Sequence, residues 1–345
     1  MRLHPERDVL LFFEDYDLDT FVRNDRRIRR AIRKALRAFR RGRPKVTGFE
    51  VWFQLLYKAL VQSGRRVHVN AFRLARKNPA FPVGMVGYPH ILSGWDLPNP
   101  AVLGPGLIDH PSISPKLMDD PRYRVYVTTC DWYHAMFAPV YGEDRCAHWH
   151  AGFDLTDWPD LGAAPKDVDV LIYDKVRWHR DRHEPELIRK VHDALAKRGL
   201  SFETVRYGKY DHDGYRKLLA RSKTMIFLCE HETQGMAYQE ALASGLPILA
   251  WDPGVWVDPN ARRYDPNPIA ACSVPFFSED CGERFKDAAE FESALDRFWE
   301  KEQTKADVEV FILDEVFAKL PTPPSMALVQ RTVLVDIPRS APMFT

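Results

Sequence analysis

Apolar residues in this chain gather in short runs at 8–13, 66–70, 123–129, 168–173, 202–207, 225–229 and 246–251. Each run is the length of a strand and too short for a buried helix. Between them, stretches at 51–63, 132–140, 184–198, 213–222, 236–243 and 288–300 mix apolar and charged positions as helices with one buried face do. Glycine closes several of these, at Gly64, Gly199 and Gly245, where helices commonly end in left-handed backbone. Strand alternating with helix predicts an α/β fold built on parallel sheets. Residues 78–115 are less regular: proline and glycine are frequent, and the apolar runs at 101–106 and 107–111 are brief.

The densest pattern is residues 225–252. Met225 to Cys229 form an apolar run, and a polar turn follows from Glu230 to Gly235. A helix is expected over 236–243, closed by Ser244 and Gly245, and a second strand over 246–251. The turn therefore stands at a helix N-terminus, where unpaired N–H groups and the helix dipole favour an anion. Seven residues separate Glu232 from Glu240, so one lies in the turn and the other about two helical turns on. Both side chains can face one ligand held above the helix start.

Length and composition narrow the class. A chain of 345 residues suggests two domains, each able to bury its own core. Its 45% hydrophobic and 28% charged content is ordinary for a globular protein, and the formal net charge is +1. Attraction to an anionic partner must then come from local clustering. No segment reaches the roughly 18 consecutive apolar residues that span a bilayer. The opening residues are too polar for a secretory signal. Five cysteines, with no C-x-x-C pair, argue against a disulfide framework and for a reducing cytoplasm.

Clustering is strongest from Arg23 to Lys45, where Ile28, Ile32, Ala35, Leu36 and Phe39 share one helical face and nearly everything else is Arg or Lys. Asn24 or Asp25 suits the cap, and Gly42 with Pro44 the end. Such a helix suggests peripheral contact with an anionic membrane on its inner face. The alternative is an apolar face packed on the domain beneath solvated arginines. No aromatic interleaving supports nucleic acid.

Glu232, Gly235, Glu240-Ala241 and Gly245-Leu246-Pro247, with the strand before them, resemble the E-x7-E signature of retaining, nucleotide-sugar-dependent glycosyltransferases of the GT-B fold. The resemblance covers about three-quarters of the chain and is specific in its second half. It implies two Rossmann-like domains facing across a cleft, here 1–156 on the acceptor side and 157–320 for the nucleotide-sugar donor, with a tail at 321–345 that packs back on the first. It implies that Glu232 and the backbone of Thr233, Gln234, Gly235 and Met236 meet the donor sugar and diphosphate, and that Glu240 binds the ribose. A basic residue after the 168–173 strand would hold the diphosphate, and Lys175 matches it; Arg180 or Arg182 would be a second. Tyr207, with Gly208, stands where the base-binding loop begins. In the first half, Gly48 would face the diphosphate, although Thr47 replaces the family's other glycine. His110, beside Asp109, is the candidate for the histidine at a strand end that touches the donor sugar. Gly152-Phe153-Asp154 resembles the tripeptide that leaves the first domain.

The implied activity is transfer of a sugar to a glycan or lipid-linked acceptor hydroxyl with retention, in bacterial polysaccharide or glycoconjugate synthesis. No metal or other cofactor is required, because Lys175, an arginine and the helix start supply counter-charge. An alternative rests on Asp15 and Asp17, an acidic pair after the first strand that resembles the metal-binding D-x-D of the GT-A fold. The pattern recurs at Asp167/Asp169 and Asp211/Asp213, and His148 and His150 alternate as strand residues do without an evident third ligand. A sugar-nucleotide epimerase, a phosphorylase or a binding protein on the same two-domain fold also remains open.

Overall fold

A computed structural model describes residues 3–14, 32, 48–93, 95–150 and 165–300. Asp15, Asp17, Thr47, the basic 23–45 segment apart from Ile32, the 152–154 tripeptide, most of the expected linker and the 321–345 tail lie outside the described residues. The described residues fall into two compact units, one ending at residue 150 and one beginning at 165.

The first unit is a six-stranded parallel sheet: β1 (Asp8–Glu14), β2 (Arg66–Val69), β3 (Val83–Gly87), β4 (Ala101–Leu103), β5 (Tyr123–Thr128) and β6 (Cys146–His148), in the order β2-β1-β3-β4-β5-β6. The helix Gly48–Gln62 covers one face, burying Trp52 and Leu60 against Leu11, Phe13, Val86, Val127 and Trp149. The second unit is a five-stranded parallel sheet: β7 (Val168–Lys175), β8 (Phe202–Arg206), β9 (Ser222–Cys229), β10 (Ile248–Trp251) and β11 (Gly282–Phe285), in the order β11-β10-β9-β7-β8. Its core sets Val170, Ile172, Ile226, Leu228 and Leu249 of the sheet against Leu187, Val191, Leu195, Phe291, Leu295 and Phe298 of the covering helices. Strands buried on both faces read as continuous apolar runs, which is why β7, β9 and β10 stand out in the sequence.

In each sheet the chain runs outward one way from the first strand and then reverses. The reversal falls between β1 and β3 in the first unit and between β7 and β9 in the second. In open parallel sheets such a switch point opens a crevice beyond the carboxyl ends of the strands, and ligands bind there.

Several boundaries differ from the expectations. Strand β3 hides among glycines: a Cβ on Gly84 would lie 2.9 Å from the Leu11 side chain, so close strand packing takes the residue that least resembles a strand former. Strand β6 is three residues long and β11 mixes glycine and charge, so neither carries an apolar run. The helix expected from 184 begins at Arg180 and passes through a π turn at Glu184–Ile188, where Pro185 interrupts the ordinary pattern. The last helix starts at Phe291, because Asp287 accepts from the N–H groups of Ala289 and Glu290 and forms a separate turn.

Three aspartates of the D-x-D patterns within the described residues have structural partners. Asp167 pairs with Arg221, and Asp169 with Lys223 and Ser201, at the amino end of β7. Asp211 caps the helix His212–Arg221 by accepting from the Gly214 N–H at 2.7 Å. No helix among the described residues is long and apolar enough to cross a membrane.

Candidate functional site

The switch point of the second sheet is built from the carboxyl ends of β7 and β9. Lys175, the last residue of β7, stands in register with Cys229, the last of β9. Adjacent strand residues point to opposite faces, and the two at this end find different partners. Asp174 is buried and takes Arg180 through both carboxylate oxygens, at 2.9 and 2.7 Å. Lys175 donates to Glu232 Oε1, and its ammonium lies 4.5 Å from the Tyr207 ring centre. Only 13% of the Lys175 side chain and 16% of the Glu232 side chain are exposed, so the pair is shielded yet reachable. Burial opposes the lysine's charge, but Glu232, Cys229 and Tyr207 more than offset it, and the ammonium is held above its ordinary pKa.

The loop after β9 is fixed from below. Glu230 is wholly buried and its Oε1 accepts from the N–H groups of Arg177 and Trp178, at 2.8 and 2.9 Å. Burial raises its pKa. The Trp178 ring stacks on His231, with centroids 5.0 Å apart and planes 10° from parallel. Burial, with Arg177 and Lys175 nearby, pushes His231 down to about 3, so its imidazole is neutral. The Glu232 N–H donates to the Cys272 carbonyl at 2.9 Å. Gly235 then takes a left-handed conformation (φ +68), and a Cβ there would stand 2.0 Å from the Tyr238 ring. Its amide begins the helix Met236–Ala243, which no side chain caps at Gly235.

Glu240 lies in the second turn of that helix, 11% exposed by side chain, with Oε1 3.0 Å from His212 Nε2. Burial raises the Glu240 pKa, and the bond to Glu240 raises that of His212. The loop from β8 closes this flank. The Tyr207 N–H donates to the Asp174 carbonyl, and the hydroxyls of Tyr210 and Tyr173 meet at 2.7 Å.

Lys175, Glu232 and Tyr207 thus come together, and Thr233, Gln234, Gly235, Met236 and Glu240 follow on the same loop and helix. The two arginines are engaged by other carboxylates. Arg180 is held by Asp174 and by Glu184 at 2.9 Å, and Arg182 pairs with Glu186 on an exposed helix face. Gly48 and His110 belong to the first unit. Gly48 opens the helix Gly48–Gln62, and a Cβ there would meet nothing within 4 Å. His110 is not at a strand end, as expected, since β4 stops at Leu103. It caps the short turn Pro111–Ile113, its Nδ1 accepting from the Ser112 N–H at 3.1 Å, because proline at 111 favours a turn start. His148 ends β6 with its ring 4.1 Å from that of His134. Among the described residues no group of three or more His, Cys, Asp or Glu is placed to hold a metal ion.

Sequence reasoning missed Glu230 and His212. The signal for Glu230 was a carboxylate continuing a wholly apolar run. His212 has none, since its partner is 28 residues away.

No protein-family model and no curated protein matches this chain. Solved structures do. The lipopolysaccharide outer core galactosyltransferase WaaB is similar at a TM-score of 0.51 and 8% identity, over 94% of this chain and 97% of that one. WaaG, a glycosyltransferase involved in lipopolysaccharide biosynthesis, is similar at 0.49 and 12% identity, over 95% and 99%. Two doubly wound parallel sheets, each reversing at its first strand, and a likeness to WaaB over nearly its whole length give this chain the GT-B fold.

Proposed function

We propose that this chain is a glycosyltransferase that moves a sugar from a nucleotide-sugar donor to an acceptor hydroxyl with retention at the anomeric carbon. The observation that carries the reading is the Lys175–Glu232 pair beside the start of the Met236–Ala243 helix, at the switch point of a parallel sheet. A donor diphosphate at the helix start meets N–H groups and a fixed cation. Lys175 exchanges its carboxylate partner for phosphate, and the released Glu232 accepts from sugar hydroxyls. Glu240 accepts from the ribose, and Tyr207 offers a ring to the base.

The C1–oxygen bond to the diphosphate breaks and its electron pair leaves with the phosphate. The acceptor oxygen bonds to C1 on the same face and its proton passes to the departing phosphate oxygen. Lys175 and the helix dipole stabilise the charge that develops on that phosphate, so on this reading the counter-charge comes from the protein rather than a metal. Arg180, the candidate for a second cation, is bound to Asp174 at the end of β7 beside Lys175. The reading places the reaction in the cytoplasm, with a glycan or lipid-linked acceptor and the basic 23–45 segment toward an anionic membrane surface.

A thermal-shift panel of UDP, GDP, ADP and CMP tests this. At least one nucleoside diphosphate raises Tm, since a ligand of the folded state alone stabilises it by mass action. Lys175→Ala abolishes that rise. A panel in which no nucleotide moves Tm overturns the reading.

A further inference from the structure

We propose that His212 is a positioning residue that holds the Glu240 carboxylate in the orientation that receives the donor ribose, an inference that rests on the site reading above. His212 opens the helix His212–Arg221, and Tyr215 lies one turn further on. On the facing helix, Ala237 and Glu240 are likewise one turn apart. The two helices are stitched in matching steps, with Tyr215 donating to the Ala237 carbonyl at 2.6 Å and His212 meeting Glu240 at 3.0 Å. Residues three apart share a helical face, so anchoring Tyr215 also sets His212. Tyr215 is fully buried, and on the other side of His212 the Tyr210 hydroxyl is bound to that of Tyr173. The Asp211 cap fixes the backbone between. The imidazole is 56% exposed, and its direction is set by the helix that it opens and by its bond to one oxygen of Glu240.

A carboxylate with a buried stem and one oxygen held presents the other oxygen in a fixed direction. Without His212 the Glu240 carboxylate loses the partner that fixes its terminal torsion, and the cost of ordering it weakens its acceptance of the ribose hydroxyls. The effect is confined to ligands carrying those hydroxyls.

Calorimetric titration with UDP, GDP and ADP and with their 2′,3′-dideoxy counterparts reads this out. Wild type prefers the ribose form of the nucleotide it binds. His212→Ala shrinks that preference by about tenfold and leaves dideoxy binding unchanged. His212→Gln, which restores an N–H donor at similar reach, recovers part of it. Equal loss for both ligand forms, or an undiminished ribose preference in His212→Ala, overturns the inference while the site reading stands. A wild type that binds no nucleoside diphosphate overturns both.

Discussion

The Lys175 ammonium is bound to Glu232 in a setting that leaves little of either side chain in water. Truncating either partner strands a charge and opens a gap, whereas Glu232→Gln keeps the shape and an acceptor for Lys175 and frees the ammonium's charge for phosphate. Glu232→Gln is therefore expected to bind nucleoside diphosphate as well as wild type or better, while transfer falls at least tenfold. Parallel titration and sugar-transfer assays check it. Lys175→Ala is expected to lower transfer by about a hundredfold or more, with circular dichroism still that of a folded protein. Gly235 is a different kind of residue, since its need is steric. Gly235→Ala places a methyl into the Tyr238 ring on left-handed backbone and is expected to cost about 2–4 kcal/mol, read as a fall in Tm.

Among elements, the turn after β7 is held to the end of β9 by Glu230. Glu230→Leu leaves the part-buried N–H groups of Arg177 and Trp178 without their acceptor, and a destabilisation of about 1–2 kcal/mol is expected. Glu230→Gln retains an acceptor oxygen and is expected to lose less than half as much in urea melts. How much could be read in advance follows from the same chemistry. The unit from β9 through its helix to β10 was legible because strands buried on both faces are apolar throughout. The meeting of Lys175 with Glu232 was legible because each ends or follows such a run. The partners of Arg180 were not, because Asp174 and Glu184 lie six positions before and four after, and sequence distance does not say which acidic groups an arginine takes. His110 was misread for lack of a strand boundary: 107–111 is apolar, yet Pro111 and the Ser112 N–H make it a turn. His212 was invisible because long-range pairing between helices leaves no local mark.

For the molecule as a whole, the amino ends of the leading strands carry two of the most strongly shifted carboxylates among the described residues. Asp8 of β1 is buried and bound to Arg66 and His68, and the Arg66 guanidinium foremost holds its carboxyl well below the usual carboxylate range. Asp169 of β7 is pulled down to about 2, chiefly by Lys223 and also by Ser201. The unfolded chain binds protons at these carboxylates near pH 4, above where the folded protein does. Between those values the unfolded state carries more protons, so stability rises with pH. The contribution is present above about pH 4; that of Asp169 is lost as pH falls through about 2, and that of Asp8 only at lower pH. Glu230 and Glu240 act in the opposite sense: their raised pKa values favour the folded state in acid and weigh against it above the ordinary glutamate value. The Lys223–Asp169 pair is partly solvated, so its share is of the order of 1 kcal/mol after screening. Asp8 makes charge-assisted bonds from a buried position, and Asp8→Asn is expected to cost about 2 kcal/mol at pH 7. Urea melts of wild type, Asp8→Asn and Asp169→Asn across pH 7 to 2 should therefore draw together toward the acid end, Asp169→Asn sooner than Asp8→Asn, because the folded protein keeps the Asp8 carboxyl ionised to lower pH. Curves that stay parallel down to pH 2 would mean that these ion pairs do not carry the acid dependence.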